Sequence, residues 1–170
     1  MEFDDLPAVK RINEDSAVRG NVVGWGWPNS LRELENWFSS SQGGSTHRWM
    51  VETHDGQAIG VTGLWDVDWH NRNALTALKL GGVDEVRGRG AGSDAIKLVM
   101  AFAFFDVGLE RLHSTILENN TASLKAYVEH CGWSNEGTAR RHVWRHGTYV
   151  DAHHIGVLRE EFERLPDSEA

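Results

Sequence analysis

The chain has 170 residues and a formal net charge of −8, enough for one domain with its own core. Forty per cent hydrophobic and 25% charged residues is the balance of a globular fold in water, and the acidic excess is unlike a nucleic-acid binder, whose footprint is basic. The longest apolar run, 98–105, is far too short to span a bilayer.

A single cysteine, Cys131, excludes an intrachain disulfide and fits a reducing compartment, so the cytoplasm is the expected location. The opening MEFDDLPAV is acidic and lacks an apolar stretch, which reads as no secretory leader. Asp5 to Asp15 places Leu6, Val9 and Ile12 on one side, with Pro7 in the first turn, and predicts a short helix. Residues 19–30, rich in Gly, Asn and Pro, read as a loop. Ser30 and Glu33 form a capping box for a helix carrying Leu31, Leu34, Trp37 and Phe38 at helical spacing, closed by the loop 39–46.

From residue 48 the period changes to two. Strands over 48–54 and 57–67 flank the turn signal Asp55-Gly56, and 73–82 reads as a third strand. A helix follows over about 91–107 and stops at Gly108. Residues 111–117 read as a strand. Residues 120–131 read as a helix capped by Asn120, with Leu124, Tyr127 and Val128 on one face. A hairpin about His146-Gly147 closes the domain, and PDSEA reads as a frayed tail. The order implies one α/β layer, a mixed sheet with helices packed on it, and a right-handed crossover through 91–107.

The stretch EVRGRGAGSDAIKLV, 85–99, puts three glycines where a helix must begin. Unpaired N–H groups at a helix start, together with the helix dipole, make an anion site. Glycine lets the backbone approach the anion. The physical reading is a pyrophosphate site. A dinucleotide fingerprint fails at Ser93, where its last glycine would stand, and a P-loop lacks its G-K-[ST]. Eight tryptophans are many for this length. Trp25, Trp27, Trp37, Trp49, Trp65 and Trp69 are either core or an aromatic wall around a substrate. His142, His146, His153 and His154 form no compact metal-ligand pattern, since adjacent strand residues face opposite ways.

Arg87-x-x-Gly90-x-Gly92, after a strand and opening a helix, resembles the acetyl-CoA pyrophosphate loop of the GNAT N-acetyltransferase superfamily. Residues 108–162 resemble the second half of that fold. They are most similar to the branch of ribosomal-protein N-terminal and spermidine acetyltransferases, through Asn120, Ser123, Tyr127, Gly132-Trp133 and Glu136-Gly137. The resemblance implies a single domain: an acceptor-side helical segment 1–47, a sheet and coenzyme A core 48–162, and a tail 163–170. It implies a mixed, mostly antiparallel twisted sheet flanked by helices, with the family's first strand short or missing. Backbone N–H groups of Arg87, Gly88, Arg89, Gly90, Ala91 and Gly92 would hold the pyrophosphate. Leu80, Gly81, Gly82 and Val83 would pair with the pantetheine arm, and a bulge there would aim one N–H at the thioester oxygen. Asn120 and Ser123 would contact the cofactor, and Tyr127 would be the general acid for the leaving thiolate. Trp25, Trp27 and Trp37 would line the acceptor pocket. A two-fold homodimer is that branch's habit.

Two departures bear on the chemistry. Tyr127 to Gly132 spans five residues where the family has four, a surplus a π-bulge can absorb, and it leaves open whether Tyr127 or Val128 faces the thioester. The family's glutamate base is absent from Ala74-Leu75-Thr76-Ala77. Asp66, Asp68 and His70 are the replacement candidates, beside a chain of water. The implied activity is acetyl transfer from acetyl-CoA to a small cationic amine, an amino sugar or a peptide N-terminus. The competing reading is a catalytically silent acyl-CoA-binding module on the same fold.

Overall fold

The computed structural model describes residues 1–24, 29–40, 44–81 and 88–166. The chain opens with a 3₁₀ turn, Phe3–Asp5, and passes directly into α1, Leu6–Glu14. Leu6, Val9 and Ile12 are the buried face of α1, as their spacing requires. A second helix, α2, runs Ser16–Asn21, where sequence places the start of a loop at residue 19. Its cause is Asp15. That carboxylate accepts hydrogen bonds from the N–H groups of Ala17 (2.8 Å) and Val18 (3.4 Å), capping a helix too short to show a period. Helix α3, Leu31–Ser40, starts at the expected capping box: Ser30 N–H donates to Glu33 at 2.7 Å, and Glu33 N–H donates to the Ser30 hydroxyl at 3.2 Å.

Strands β1 (His47–Glu52), β2 (Ala58–Asp68) and β3 (Asn73–Leu80) form an antiparallel meander. Helix α4, Ala91–Ala101, continues as a π-helical segment, Phe102–Asp106, before Gly108 turns the chain into β4, Arg111–Leu117. Helix α5, Thr121–Leu124, likewise passes into a π-helical segment, Lys125–His130. Strands β5 (Ser134–Arg145) and β6 (Thr148–Leu158) form the closing hairpin, and α6 is one turn, Arg159–Phe162. Both hairpin-tip residues, His146 (φ 48°) and Gly147 (φ 80°), are left-handed, which matches the strand twist of a tight two-residue turn.

The six strands make one sheet in the order β1-β2-β3-β4-β6-β5. All neighbours are antiparallel except β3 and β4, the parallel pair joined through α4. The main core lies on the α4 face: Leu64, Ala74, Leu112 and Ile116 from the sheet meet Val99, Met100 and Phe104, with Trp133 sealing the end. Trp133 donates its indole N–H to Met100 Sδ at 3.2 Å. The opposite face carries α1 and α2 over β3: Lys79 Nζ donates to Asn13 Oδ1 at 3.3 Å. A Cβ on Gly81 would sit 2.5 Å from Val18 Cγ2. Gly81 is therefore a packing requirement of α2. The Gly81→Ala substitution is expected to cost about 1–3 kcal/mol, read from urea unfolding, and an unchanged midpoint would show that α2 does not press on the end of β3.

Candidate active site

β3 and β4 share only three registered pairs: Asn73 with Arg111, Ala74 with Leu112 and Leu75 with His113. Beyond Leu75 and His113 both strands continue but no longer pair. Each keeps its outer partner, β3 with β2 up to Leu80 and β4 with β6 up to Leu117. The sheet therefore splits into a slot that opens toward the C-terminal ends of its two parallel strands. Main-chain groups line it. Gly81 N–H donates to Ile59 O at 3.0 Å. The alternation of an antiparallel ladder then turns Lys79 and Ala77 toward β2, and Thr76, Leu78 and Leu80 toward the slot. On the other wall, Glu118 N–H donates to Asp151 O at 3.0 Å. That sets Ile116 and Ser114 toward β6 and Thr115 toward the slot.

At the open end stands the start of α4. Its N-cap is Gly90, with φ 90° and no side-chain cap. Gly88 is also left-handed, at φ 77°, and nothing lies within 4 Å of where its Cβ would be. The first N–H groups of α4, from Ala91, Gly92 and Ser93, thus face outward with no side chain capping them. Gly92 has a different reason: its Cβ would meet Leu80 Cδ1 at 3.4 Å, so it lets α4 rest on β3.

Tyr127 lies on the α4 face of the slot. The π-helical segment absorbs the surplus residue before Gly132: Trp133 N–H reaches back to Tyr127 O at 3.1 Å, and Gly132 takes φ 72°. Tyr127 consequently turns inward and Val128 is half-buried beside it. The phenol ring stands edge-on to Trp133, centroids 4.9 Å apart. Among the described residues the Tyr127 hydroxyl has no hydrogen-bond partner, and the side chain is buried in the core. Burial, reinforced by Cys131, raises its pKa, so it stays protonated across the physiological range. Cys131 Sγ in turn contacts Ser93 O at 3.6 Å, which ties the tyrosine's segment to the first turn of α4.

A family model described as the acetyltransferase (GNAT) domain matches residues 1–134. The chain belongs to the GNAT acetyltransferase family. It is 24% identical over 149 residues, 88% of this chain and 82% of the relative, to the SPbeta prophage-derived uncharacterized N-acetyltransferase YokL of Bacillus subtilis. The fold matches a spermidine N-acetyltransferase from Vibrio cholerae solved with CoA and spermine (TM-score 0.86, 21% identity, 95% of this chain and 94% of that one). It also matches the spermidine/spermine N-acetyltransferase SpeG of the same organism solved with manganese ions (TM-score 0.80, 21% identity, 96% and 92%). The chain is an acetyl-CoA-dependent N-acetyltransferase. The competing reading, a silent acyl-CoA-binding module, gains nothing from these matches.

Within this acetyltransferase the expected residues divide. Leu80, Gly88, Gly90, Ala91 and Gly92 gather at the open end of the slot, with the exposed Arg89 beside them. Gly82, Val83 and Arg87, like Trp25 and Trp27, lie outside the described residues. The ladder runs through Gly81 without a bulge, and its N–H is committed to Ile59; the bulges of β2 fall instead at 51–52 of its partner β1 and at 65–68. Asn120 caps α5, its Oδ1 accepting from Ser123 N–H at 3.2 Å, and its amide donates to Asn21 O at 3.2 Å, pinning the end of α2. Trp37 already carries the Arg48 guanidinium on its ring at 4.7 Å.

The candidate bases Asp68 and His70 lie away from the open end of the slot. Asp68 and His70 stand in the β2–β3 turn, at the closed end of the sheet. The Asp68 carboxylate accepts from His70 N–H (3.0 Å), Asn71 N–H (2.8 Å) and the Asn71 amide (2.7 Å), which hold its pKa below the usual carboxylate value. It is a turn brace, poorly suited to collect a proton near neutrality.

Two residues escape the sequence reading. His113 follows from alternation alone: Leu112, Ser114 and Ile116 are buried on the α4 side, so His113 faces the other way, at the last rung before the slot. Arg145 shows no period. Its Nη2 donates to the carbonyls of Val22 (3.0 Å), Val23 (3.1 Å) and Gly24 (3.2 Å), and its Nη1 to Trp144 O (2.8 Å). The tip of the β5–β6 hairpin therefore holds the chain as it leaves α2. Arg145→Met is expected to cost about 1–3 kcal/mol by leaving these carbonyls unpaired and to speed amide exchange over 22–24; unchanged exchange there would contradict the clamp.

Proposed function

We propose that this enzyme acetylates a small cationic amine, with the pyrophosphate of acetyl-CoA at the start of α4 and the pantetheine arm along the slot edge of β3. The observation that carries the reading is the slot itself, with an uncapped helix start at its mouth. The site fits the cosubstrate on its own terms. Left-handed Gly88 faces open space, a Cβ on left-handed Gly90 would meet only Asp94 Oδ2 at 3.8 Å, and Ala91, Gly92 and Ser93 offer N–H groups at the positive end of a helix dipole. Thr76, Leu78 and Leu80 offer main-chain groups to an amide-bearing arm, as a neighbouring strand would. Acetyl-CoA supplies an activated thioester. Tyr127 keeps a proton on its hydroxyl beside the first turn of α4, available to the departing thiolate.

The amine class draws on two supports: the net charge of −8 suits a cationic acceptor, and two neighbours of the same fold are named as polyamine acetyltransferases. The buried single cysteine, Cys131, supports a cytoplasmic enzyme, and the family resemblance supports a two-fold homodimer. Thiol release from acetyl-CoA, followed with spermidine, spermine, an aminoglycoside, an amino sugar and N-terminal peptides, tests the acceptor; the polyamines are expected to be fastest, and a preference for peptides would overturn the amine class. Tyr127→Phe is expected to lower kcat by about 10²-fold while leaving the Kd for acetyl-CoA within twofold; undiminished turnover removes Tyr127 from the mechanism.

A further inference from the structure

The face of the slot opposite α4 holds a titratable group that none of the roles above uses. His113 is the last residue of β4 in register with β3, opposite Leu75, so it stands where the two strands part. Its neighbours in the same column place it on the acceptor side. Thr115 donates to or accepts from His154 Nδ1 at 3.2 Å, and Leu117 packs with Val143, Val150 and Ala152 under Val23, at the exit of α2. Across the sheet, on the α4 face, lies Tyr127. The ring of His113 is half-buried, and its nitrogens make no hydrogen bond to any described residue. A half-buried imidazole with both nitrogens unspent, at the apex of a slot that runs through a sheet, has the lone pair a base needs.

We propose that His113 accepts the proton that the acceptor amine gives up during acetyl transfer. The inference rests on the acetyl-CoA reading of the slot. The amine, cationic in solution, gives its ammonium proton to solvent and approaches from the α1–α2 face as the neutral form. Its nitrogen forms the new N–C bond, an N–H proton passes to the free imidazole nitrogen of His113, and the C–S bond breaks toward the α4 face, where the thiolate takes the Tyr127 proton. The imidazolium and the phenolate then recover their resting states by proton exchange with solvent. One amine and one thioester thus become one amide and one thiol.

The charges around His113 are mixed. Burial favours its neutral form, and so do Arg111 on its own strand and His154 on β6, while Glu136 of β5 and Asp66 in the bulge of β2 oppose them. The net direction is a lowered pKa, which leaves the ring unprotonated and able to accept at neutral pH. Since protonation disables the base, kcat/KM should fall as pH drops through the His113 pKa, below the ordinary imidazole value.

Two measurements test this. In the wild-type protein without substrates, the His113 ring signal is titrated by NMR, and the acidic limb of kcat/KM for the best amine, expressed per concentration of its neutral form, is recorded. The two midpoints are expected to coincide, and a separation of more than one pH unit overturns the assignment without any mutation. In His113→Gln, kcat/KM at pH 7.5 is expected to fall about 10²-fold with the acidic limb abolished, while the Kd for acetyl-CoA stays within twofold. A variant that keeps the limb and at least half of the rate overturns the role. If the wild type itself forms no N-acetyl product with any amine, it is the transferase reading that fails, since the NMR titration still stands.

Discussion

Three rungs of parallel pairing hold β3 to β4, and past Leu75 and His113 no further registered pair joins them among the described residues. An unpaired strand edge inside a domain is costly, because every main-chain N–H and C=O that leaves water wants a partner. Here the cost is confined to two facing edges, while β2 and β6 hold the outer sides of both strands along their full length. The gap is thereby rigid on both flanks and open in the middle. The uncapped start of α4, the buried Tyr127 and His113 on the opposite face all owe their relation to it.

The helices arranged around the gap show how local irregularity serves position. Both α4 and α5 run into π-helical segments, Phe102–Asp106 and Lys125–His130. In the second, the surplus residue would otherwise rotate Tyr127 away from the core. The wider turn keeps Tyr127 against Trp133 and leaves Cys131 in reach of Ser93. Gly132, left-handed after the helix, then returns the chain to β5.

The open end of the slot is crossed on its other face by α2, and each end of that short helix is fastened to a wall. Val18 closes on Gly81 at the end of β3, and Asn21 O accepts from Asn120 at the end of β4. Arg145 then takes the carbonyls of Val22, Val23 and Gly24, and Val23 packs into the small cluster beneath the hairpin. Residues far apart in the chain thus share the work of fixing α2 and the chain that leaves it. Apart from Asn120, which sequence marks as a cap, none of them follows from a repeat or a motif.

Local rules carried most of the architecture. The capping box at Ser30, the alternation from 48 to 82, the strand at 111–117 and the tight turn at His146-Gly147 rest on neighbours within a few residues, and sequence alone determines such features. The same holds for the glycines before α4, whose conformational freedom is intrinsic. Tertiary structure decided the rest. Asp68 and His70 look available in sequence, yet a turn consumes the carboxylate and the strand direction carries both to the closed end. Gly81 also gives room to the side chain of Val18 from α2, a contact set only in the fold. Trp37 carries the guanidinium of Arg48 from β1 on its ring, a pairing that only the fold sets. His113 is one histidine of nine by sequence. What separates it is the register between two strands 38 residues apart (113 against 75), and only the folded sheet sets that register.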